Sequence, residues 1–219
     1  TAGGYDSNTA VKIWQRETGE LLQTFEGIGG LLDSVTWSID GKHVICGADS
    51  LIKIFSVDNH NFVRSISTPS EGQYAQYAGS VTVSPNGNYI TRDFGHEIKI
   101  HDLNTGRLIH TLKGHEDGVS SIDWSLDGQS VASASLDDTV IVWQAADGEL
   151  IHILKGHNDA CREVAFSPDG KYIASGDSNG EILIWNTKGG NLERRIRNHY
   201  DKVTSLEWLP GGYTLISSS

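Results

Sequence analysis

The sequence predicts an all-β chain of repeated four-stranded antiparallel sheets stacked in one array. Three observations lead there. Short β-branched runs closed by an aromatic or His return every 41 to 46 residues along the whole chain. A second set of short runs, each ending in a Gly turn, returns with the same period. Neither a helical pattern nor a linker interrupts them.

The first ladder is SVTWSIDG (34–41), SVTVSPNG (80–87), SSIDWSLDG (120–128), EVAFSPDG (163–170) and TSLEWLPGG (204–212). Its anchors Trp37, Val83, Trp124, Phe166 and Trp208 are spaced 46, 41, 42 and 42. The second ladder is AVKIW, LIKIF, EIKIH, TVIVW and EILIW, closing at Trp14, Phe55, His101, Trp143 and Trp185. Within a period, Asp-Gly, Asn-Gly or Gly-Gly separates the first two runs, supplying the positive φ that a tight hairpin needs. Another turn follows the aromatic, as in Ala146-Asp147-Gly148, and leads into a fourth run such as LIHTLKG (108–114) or LIHILKG (150–156). A four-stranded sheet this small cannot bury both faces alone; stacking copies face to face buries them.

Composition agrees. The 219 residues are 37% hydrophobic and 21% charged, a globular balance. The formal net charge of −11 opposes general attraction to nucleic-acid backbones. Cys46 and Cys161 lack metal-ligand spacing and are too few for a disulfide scaffold. No apolar run reaches the length of a membrane span and no signal peptide is visible. An intracellular setting, cytoplasmic or nuclear, is expected. Lacking Met and beginning at Thr1, the chain is expected to be processed or to be a segment of something longer.

The pattern resembles the WD-repeat β-propeller family. Gly114-His115 and Gly156-His157, the SxDG and SPDG turns, and the aromatic closing the third strand carry the resemblance. The Trp-Asp dipeptide never occurs, and the first two inter-blade loops lack Gly-His. The resemblance implies a propeller of four-stranded blades over 1–219, with five blade-equivalents and one blade split between the N- and C-termini. It also implies a hydrogen-bonded network in which an indole donates to a hydroxyl, the hydroxyl bonds the loop His, and the His bonds an Asp. Mapped here, that network is His115, Ser135, Asp137 and Trp143. The next blade keeps His157 and Trp185, with Asp177 and Asn179 at the other two places, and His199 and Trp14 belong to the split blade. The blade ending at Phe55 has Ile28 for His and Asp49 for Asp. Blades without the full set are expected to be softer.

His115, Ser135 and Asp137 superficially suggest a catalytic triad. A nucleophile needs exposure beside an oxyanion site, whereas this Ser is expected inside a sheet. No nucleophile elbow, phosphate loop or metalloprotease helix is present. His115, His157 and His199 lie 42 apart, so they repeat rather than converge on one ion. No cofactor, metal or enzymatic activity is expected. Arg194, Arg195, Arg197 and Lys202 read as a solvated strand face.

The resemblance implies an interaction module that binds a protein or peptide on the face bearing the inter-blade loops. By repeat phase that face carries Asp33, Phe94, Asp117, Leu136, Asp159, Arg162, Tyr200 and Asp201. The irregular stretch 67–79 adds Gln73, Tyr74 and Tyr77, a small polar loop with two tyrosines. Several carboxylates favour a basic or polar partner; nucleic acid and membrane are not expected. Two alternatives are a sensor propeller within a larger protein and a glycan-binding propeller. Against the second, Tyr74, Phe94 and Tyr200 are not repeat-equivalent. The phases of the two ends match, so a closed five-bladed ring is expected, with Leu215 to Ser218 pairing antiparallel to Val11 to Trp14; the alternative is a segment of a larger propeller, open or completed by another chain.

Overall fold

The computed structural model describes residues 9–30, 32–48, 51–67 and 78–219, with backbone alone for Ala78 and Gly79. Twenty strands and no helix lie among them. Strands β1 (Val11–Trp14) and β2 (Leu21–Phe25) form a two-stranded sheet. The first whole blade is β3 (Leu32–Trp37), β4 (His43–Ala48), β5 (Leu51–Ser56) and β6 (Phe62–Ser67). The second is β7 (Ala78–Val83), β8 (Tyr89–Phe94), β9 (Glu97–Asp102) and β10 (Leu108–Lys113). The third is β11 (Val119–Trp124), β12 (Ser130–Ser135), β13 (Thr139–Gln144) and β14 (Leu150–Lys155). The fourth is β15 (Cys161–Phe166), β16 (Tyr172–Asp177), β17 (Glu181–Asn186) and β18 (Leu192–Arg197). Last come β19 (Ser205–Trp208) and β20 (Leu215–Ser218), again a two-stranded sheet. Every pairing is antiparallel between sequence neighbours.

The SxDG turn has a local cause. Ser125 Oγ donates to Asp127 Oδ1 at 2.7 Å and accepts the Ser130 N–H at 2.9 Å. Gly128 then takes φ 69° while its N–H closes the turn on Ser125 O, so the Ser and Asp side chains hold a turn whose last residue is left-handed. The same bonds recur at Ser38/Asp40, Ser84/Asn86 and Ser167/Asp169. At Asp169 the Ser167 hydroxyl and the Lys171 N–H hold the carboxyl at about 2.

Burial follows position in the blade. The middle strands are covered on both faces: Val140, Ile141, Val142 and Trp143 of β13 are all buried, which is why that run reads as continuously apolar. The outermost strands are largely exposed, and β18 entirely so. Neighbouring blades join along their inner strands. The Val81 N–H donates to Ser34 Oγ, Ser120 Oγ to Cys161 O, and the Phe166 N–H to Asp123 Oδ2. Size matching completes these interfaces. Ala134 packs with Cys161 in one core cluster, whereas at the next interface Gly176 faces Val203, where a Cβ would stand 2.5 Å from a Val203 methyl.

The two half-blades pack on their sequence neighbours: Val11 and Phe25 against Leu32, Val44 and Phe55, and Leu206 against Ala165 and Ile184. They do not join each other. β1 pairs with β2 and β20 with β19, and the expected ladder between Leu215–Ser218 and Val11–Trp14 is not formed. Among the described residues there are four four-stranded blades and two separate two-stranded sheets, so the expected pairing that would close a five-bladed ring is not formed. Repeat phase says which strands match; the rotation between neighbouring blades, set by inner-strand packing, decides whether they meet.

Candidate partner-binding face

A hydrogen-bonded network inside the blades fixes the loops between them. In the third blade, Trp143 Nε1 donates to Ser133 Oγ at 2.9 Å, and Ser133 Oγ lies 2.8 Å from His115 Nε2. His115 Nδ1 meets Asp137 Oδ2 at 2.9 Å. Burial lowers the His115 pKa and outweighs the Asp137 carboxylate, which pulls the other way. The ring is neutral, so one consistent chain of donors runs from indole to hydroxyl to imidazole Nε2, and from Nδ1–H to carboxylate. Burial alone would raise the Asp137 carboxyl; the Thr139 hydroxyl, the Glu116 N–H and His115 outweigh it and hold it low.

This corrects two expectations. Ser135 is not the network hydroxyl. It donates to Asp117 O at 3.0 Å, while Ser133, two residues earlier on the same face of β12, lies beside the indole. Nor is the fourth blade incomplete. Trp185 Nε1 donates to Ser175 Oγ at 2.8 Å, Ser175 Oγ is 2.6 Å from His157 Nε2, and His157 Nδ1 is 3.0 Å from Asp177 Oδ2. The acid simply stands two residues earlier, at the end of β16 instead of in the turn. Asn179, at the place Asp137 occupies, gives only its backbone N–H to Asp177.

The other blades solve the same space differently. In the first, Ile28, Cys46 and Phe55 stand where His, Ser and Trp stand elsewhere, and all three are buried in one apolar cluster with Phe25. The Phe25 and Phe55 rings lie 5.0 Å apart. With the His, Ser and Trp places all taken by apolar or thiol side chains, none of those three needs the network's partners. Asp49 lies outside the described residues. In the second blade, Thr91 takes the serine place but receives Trp124 Nε1 from the neighbouring blade at 2.9 Å. His101 takes the Trp place with Nδ1 buried and unbonded among the described residues, and burial lowers its pKa to about 4. Asp93 is buried with Oδ1 likewise unbonded, and burial raises its pKa to about 7. In the split blade His199 Nε2 reaches Ser217 Oγ at 2.7 Å, while Trp14 is 49% exposed and joins no network.

On the loop face, Asp117, Asp159 and Asp201 each accept the N–H of the next residue through Oδ1, at 2.6, 2.7 and 2.7 Å. The identical bond in three consecutive units aligns three carboxylates at one place in successive loops. Asp138 joins them; it takes φ 67°, and burial followed by the charges of Asp159 and Asp137 raises its pKa. Phase reasoning missed Asp138, although Gly180 at the same repeat phase, also with positive φ, marked the position as a left-handed turn. Leu136 is exposed, with its side chain over Gly118. Arg162 Nε donates to Ser178 Oγ at 2.7 Å, and Tyr200 stands fully out of the surface. Phe94 is half-buried between Arg92 and Lys99, 5.4 and 4.8 Å from its ring centre. Arg92 in turn faces Asp33 at 3.6 Å. Gln73, Tyr74 and Tyr77 lie outside the described residues.

Two clusters have other uses. His157, Asp177 and Glu181 offer ligand atoms within 4.8 Å of one another. Their atoms are already engaged: Asp177 by His157 and by the Asn179 and Glu181 N–H groups, Glu181 by Arg195 and Arg197. The one Glu181 carboxylate bridges two of the three arginines of β18.

A fold of stacked four-stranded β units with this His–hydroxyl–indole network defines a β-propeller of repeats. The model of the WD domain, G-beta repeat, matches residues 19–56, 106–144 and 148–186, more than half of the chain, and the chain belongs to that family. The family's fold is an interaction scaffold. Among curated relatives, the chain is 26% identical over 61% of its length to the anaphase-promoting complex subunit cdc20 of Dictyostelium discoideum, covering 26% of that protein. It is 29% identical over 64% of its length to a periodic tryptophan protein 2 homolog from the same organism, covering 15% of it. It is 26% identical over 62% of its length to the small ribosomal subunit protein RACK1 of Drosophila melanogaster, covering 44% of it. The chain thus spans less than half the length of each. No helix among the described residues is long and apolar enough to cross a membrane.

Proposed function

We propose that residues 1–219 form one non-catalytic propeller module that binds a basic or polar segment of a protein partner on the face bearing the inter-blade loops. The observation that carries this reading is the row of Asp117, Asp159 and Asp201, each fixed by the same backbone bond, with Asp138 beside it. Fixed carboxylates facing solvent lose little freedom on meeting a Lys or Arg, and they steer a cationic partner to the face. Leu136 and Tyr200 add exposed apolar area for its uncharged parts. Relatives named as a complex subunit and as a ribosomal-subunit protein sit in multiprotein assemblies, which supports a binding role here. The setting we propose is intracellular.

The test is fluorescence anisotropy with a Lys/Arg-rich peptide and its Glu-rich counterpart. The cationic peptide should bind more tightly. Changing Asp117, Asp159 and Asp201 together to Asn should weaken it by roughly tenfold or more at unchanged melting temperature. Tyr74→Ala with Tyr77→Ala, in the same assay, tests the stretch 67–79; loss of binding at unchanged melting temperature would give it a part in the contact. Equal binding of both peptides, or no effect of the triple change, defeats the reading.

A further inference from the structure

We propose that the groove between the first and second blades is a docking site for a tryptophan side chain of a partner protein, separate from the acidic loop face. The groove holds about 310 Å³, and its lining includes Ile39, Asp40, His43, Val63, Arg64 and Leu103. That size suits a single large side chain. The lining comes from the turns after β3 and β7, from β5 and β6, and from the turn after β9. In each blade these turns lie at one end of the antiparallel sheet, and the inter-blade loops lie at the other. Both blades are four-stranded, so the groove sits between two complete sheets.

Its cause is legible in the repeats. The anchor closing the first strand is Trp or Phe in four of the five units and Val83 in the second blade. One interface further on, the Trp124 ring lies parallel to Tyr89 of the preceding blade, with centres 6.3 Å apart and 7° between planes. Trp124 Nε1 also donates to Thr91 Oγ1. The phase equivalents of Trp124, Tyr89 and Thr91 at the first interface are Val83, His43 and Ile45. An indole, a phenol ring and a hydroxyl are thus all missing there. Leu103, larger than its equivalent Ala145, takes up part of the space and is buried with Ile45 and Ile54. The rest stays open, although interiors of folded chains are close-packed. An aromatic ring fills the corresponding place in the next interface, so a ring is the shape that fits this one.

The walls also suit the indole's chemistry. Arg64 donates through Nη1 to Asn104 O and through Nη2 to Leu103 O, and no carboxylate lies within ion-pair distance of it among the described residues. A guanidinium fixed by two neutral carbonyls keeps its full charge for the π-face of a ring, and Trp is the best such partner. Asp40 Oδ1 takes the Ser38 hydroxyl at 2.6 Å and the Lys42 N–H at 3.0 Å. Its Oδ2 is left to accept an indole N–H, which an aliphatic side chain or Phe cannot supply. At the mouth, Ile39 and Val63 are 61% and 46% exposed, an apolar rim that a ring would cover.

Methyl NMR on the purified 219-residue chain tests this. The probe is the capped peptide Gly-Ser-Trp-Ser-Gly, with Leu in place of Trp as its counterpart. The Trp peptide should shift the methyl signals of Ile39, Ile54, Val63 and Leu103, and bind roughly tenfold or more tightly than the Leu peptide. Val63→Glu, at an exposed place on β6, should weaken binding by a similar factor at unchanged melting temperature. His43→Tyr with Val83→Trp and Leu103→Ala rebuilds the next interface's arrangement from within and should abolish binding. If that triple variant fails to fold, Val63→Glu decides alone. Changing Asp117, Asp159 and Asp201 to Asn should leave this binding unaltered, which separates the groove from the loop face. Groove signals that do not move, equal binding of the two peptides, undiminished binding in Val63→Glu, or loss of binding with the Asp changes overturns the proposal. So do groove signals that shift with protein concentration alone, since a second copy would then be the occupant.

Discussion

Asp137 and Asp177 carry the same burden from two backbone positions. Removing either leaves a buried imidazole N–H without its acceptor, so Asp137→Ala and Asp177→Ala should each cost about 1–3 kcal/mol in urea unfolding. Asn179→Ala, whose exposed side chain is outside the network, should cost far less. pH acts on the same groups. Burial depresses the folded-state pKa of His115 and His157, so the unfolded chain binds more protons below the ordinary His value. Stability from these residues is present above about pH 6.5 and is lost as pH falls through their lower folded values. Asp93 has the opposite sign: its pKa rises from 3.8 to about 7, so stability falls as pH rises across that window. Asp93→Asn should therefore stabilise the protein at pH 8, by at most about 4 kcal/mol, with the gain vanishing near pH 4. Melting curves at the two pH values check it; an equal gain at both contradicts the assignment.

At the scale of strands and blades, the interface pairs Ala134–Cys161 and Gly176–Val203 keep a small residue opposite a larger one. Gly176→Ala should overpack its interface and cost roughly 1–3 kcal/mol. Adding Val203→Cys should restore most of the loss by recreating the Ala–Cys pair, and a double mutant no better than the single would refute the pairing. Strands and hairpins of this kind were legible in the sequence because alternation and the SxDG turn are local signals. The serine was not. Ser133 and Ser135 point to the same face, and only the register placing Val131 opposite Trp143 puts Ser133 beside the indole. The acid at 177 was hidden for the same reason: spacing located the turn, while the carboxylate reached the same point in space from the strand end. The recurring Asp117, Asp159 and Asp201 were legible from phase alone.

For the whole molecule, a linear stack implies graded stability, since each repeat contacts only its neighbours. The third and fourth blades, with full networks and neighbours on both sides, should exchange amide hydrogens slowest. The two-stranded sheets β1–β2 and β19–β20 should exchange fastest. Uniform protection across all strands would show instead a single cooperative unit. The net charge of −11 adds a long-range effect: association with a cationic partner should slow as salt is added. How the ends meet was not legible, because phase carries no information on the angle between blades.

The two-residue displacement between Asp137 and Asp177 also sets an order in which mutations can accumulate. A lineage can pass from one arrangement to the other through a chain bearing acids at both places, as Asn179→Asp would create here, and then discard the first. Discarding first strands the imidazole. A column-by-column comparison of repeats would therefore score Asn179 as a missing acid, although Asp177 supplies the same contact two residues earlier.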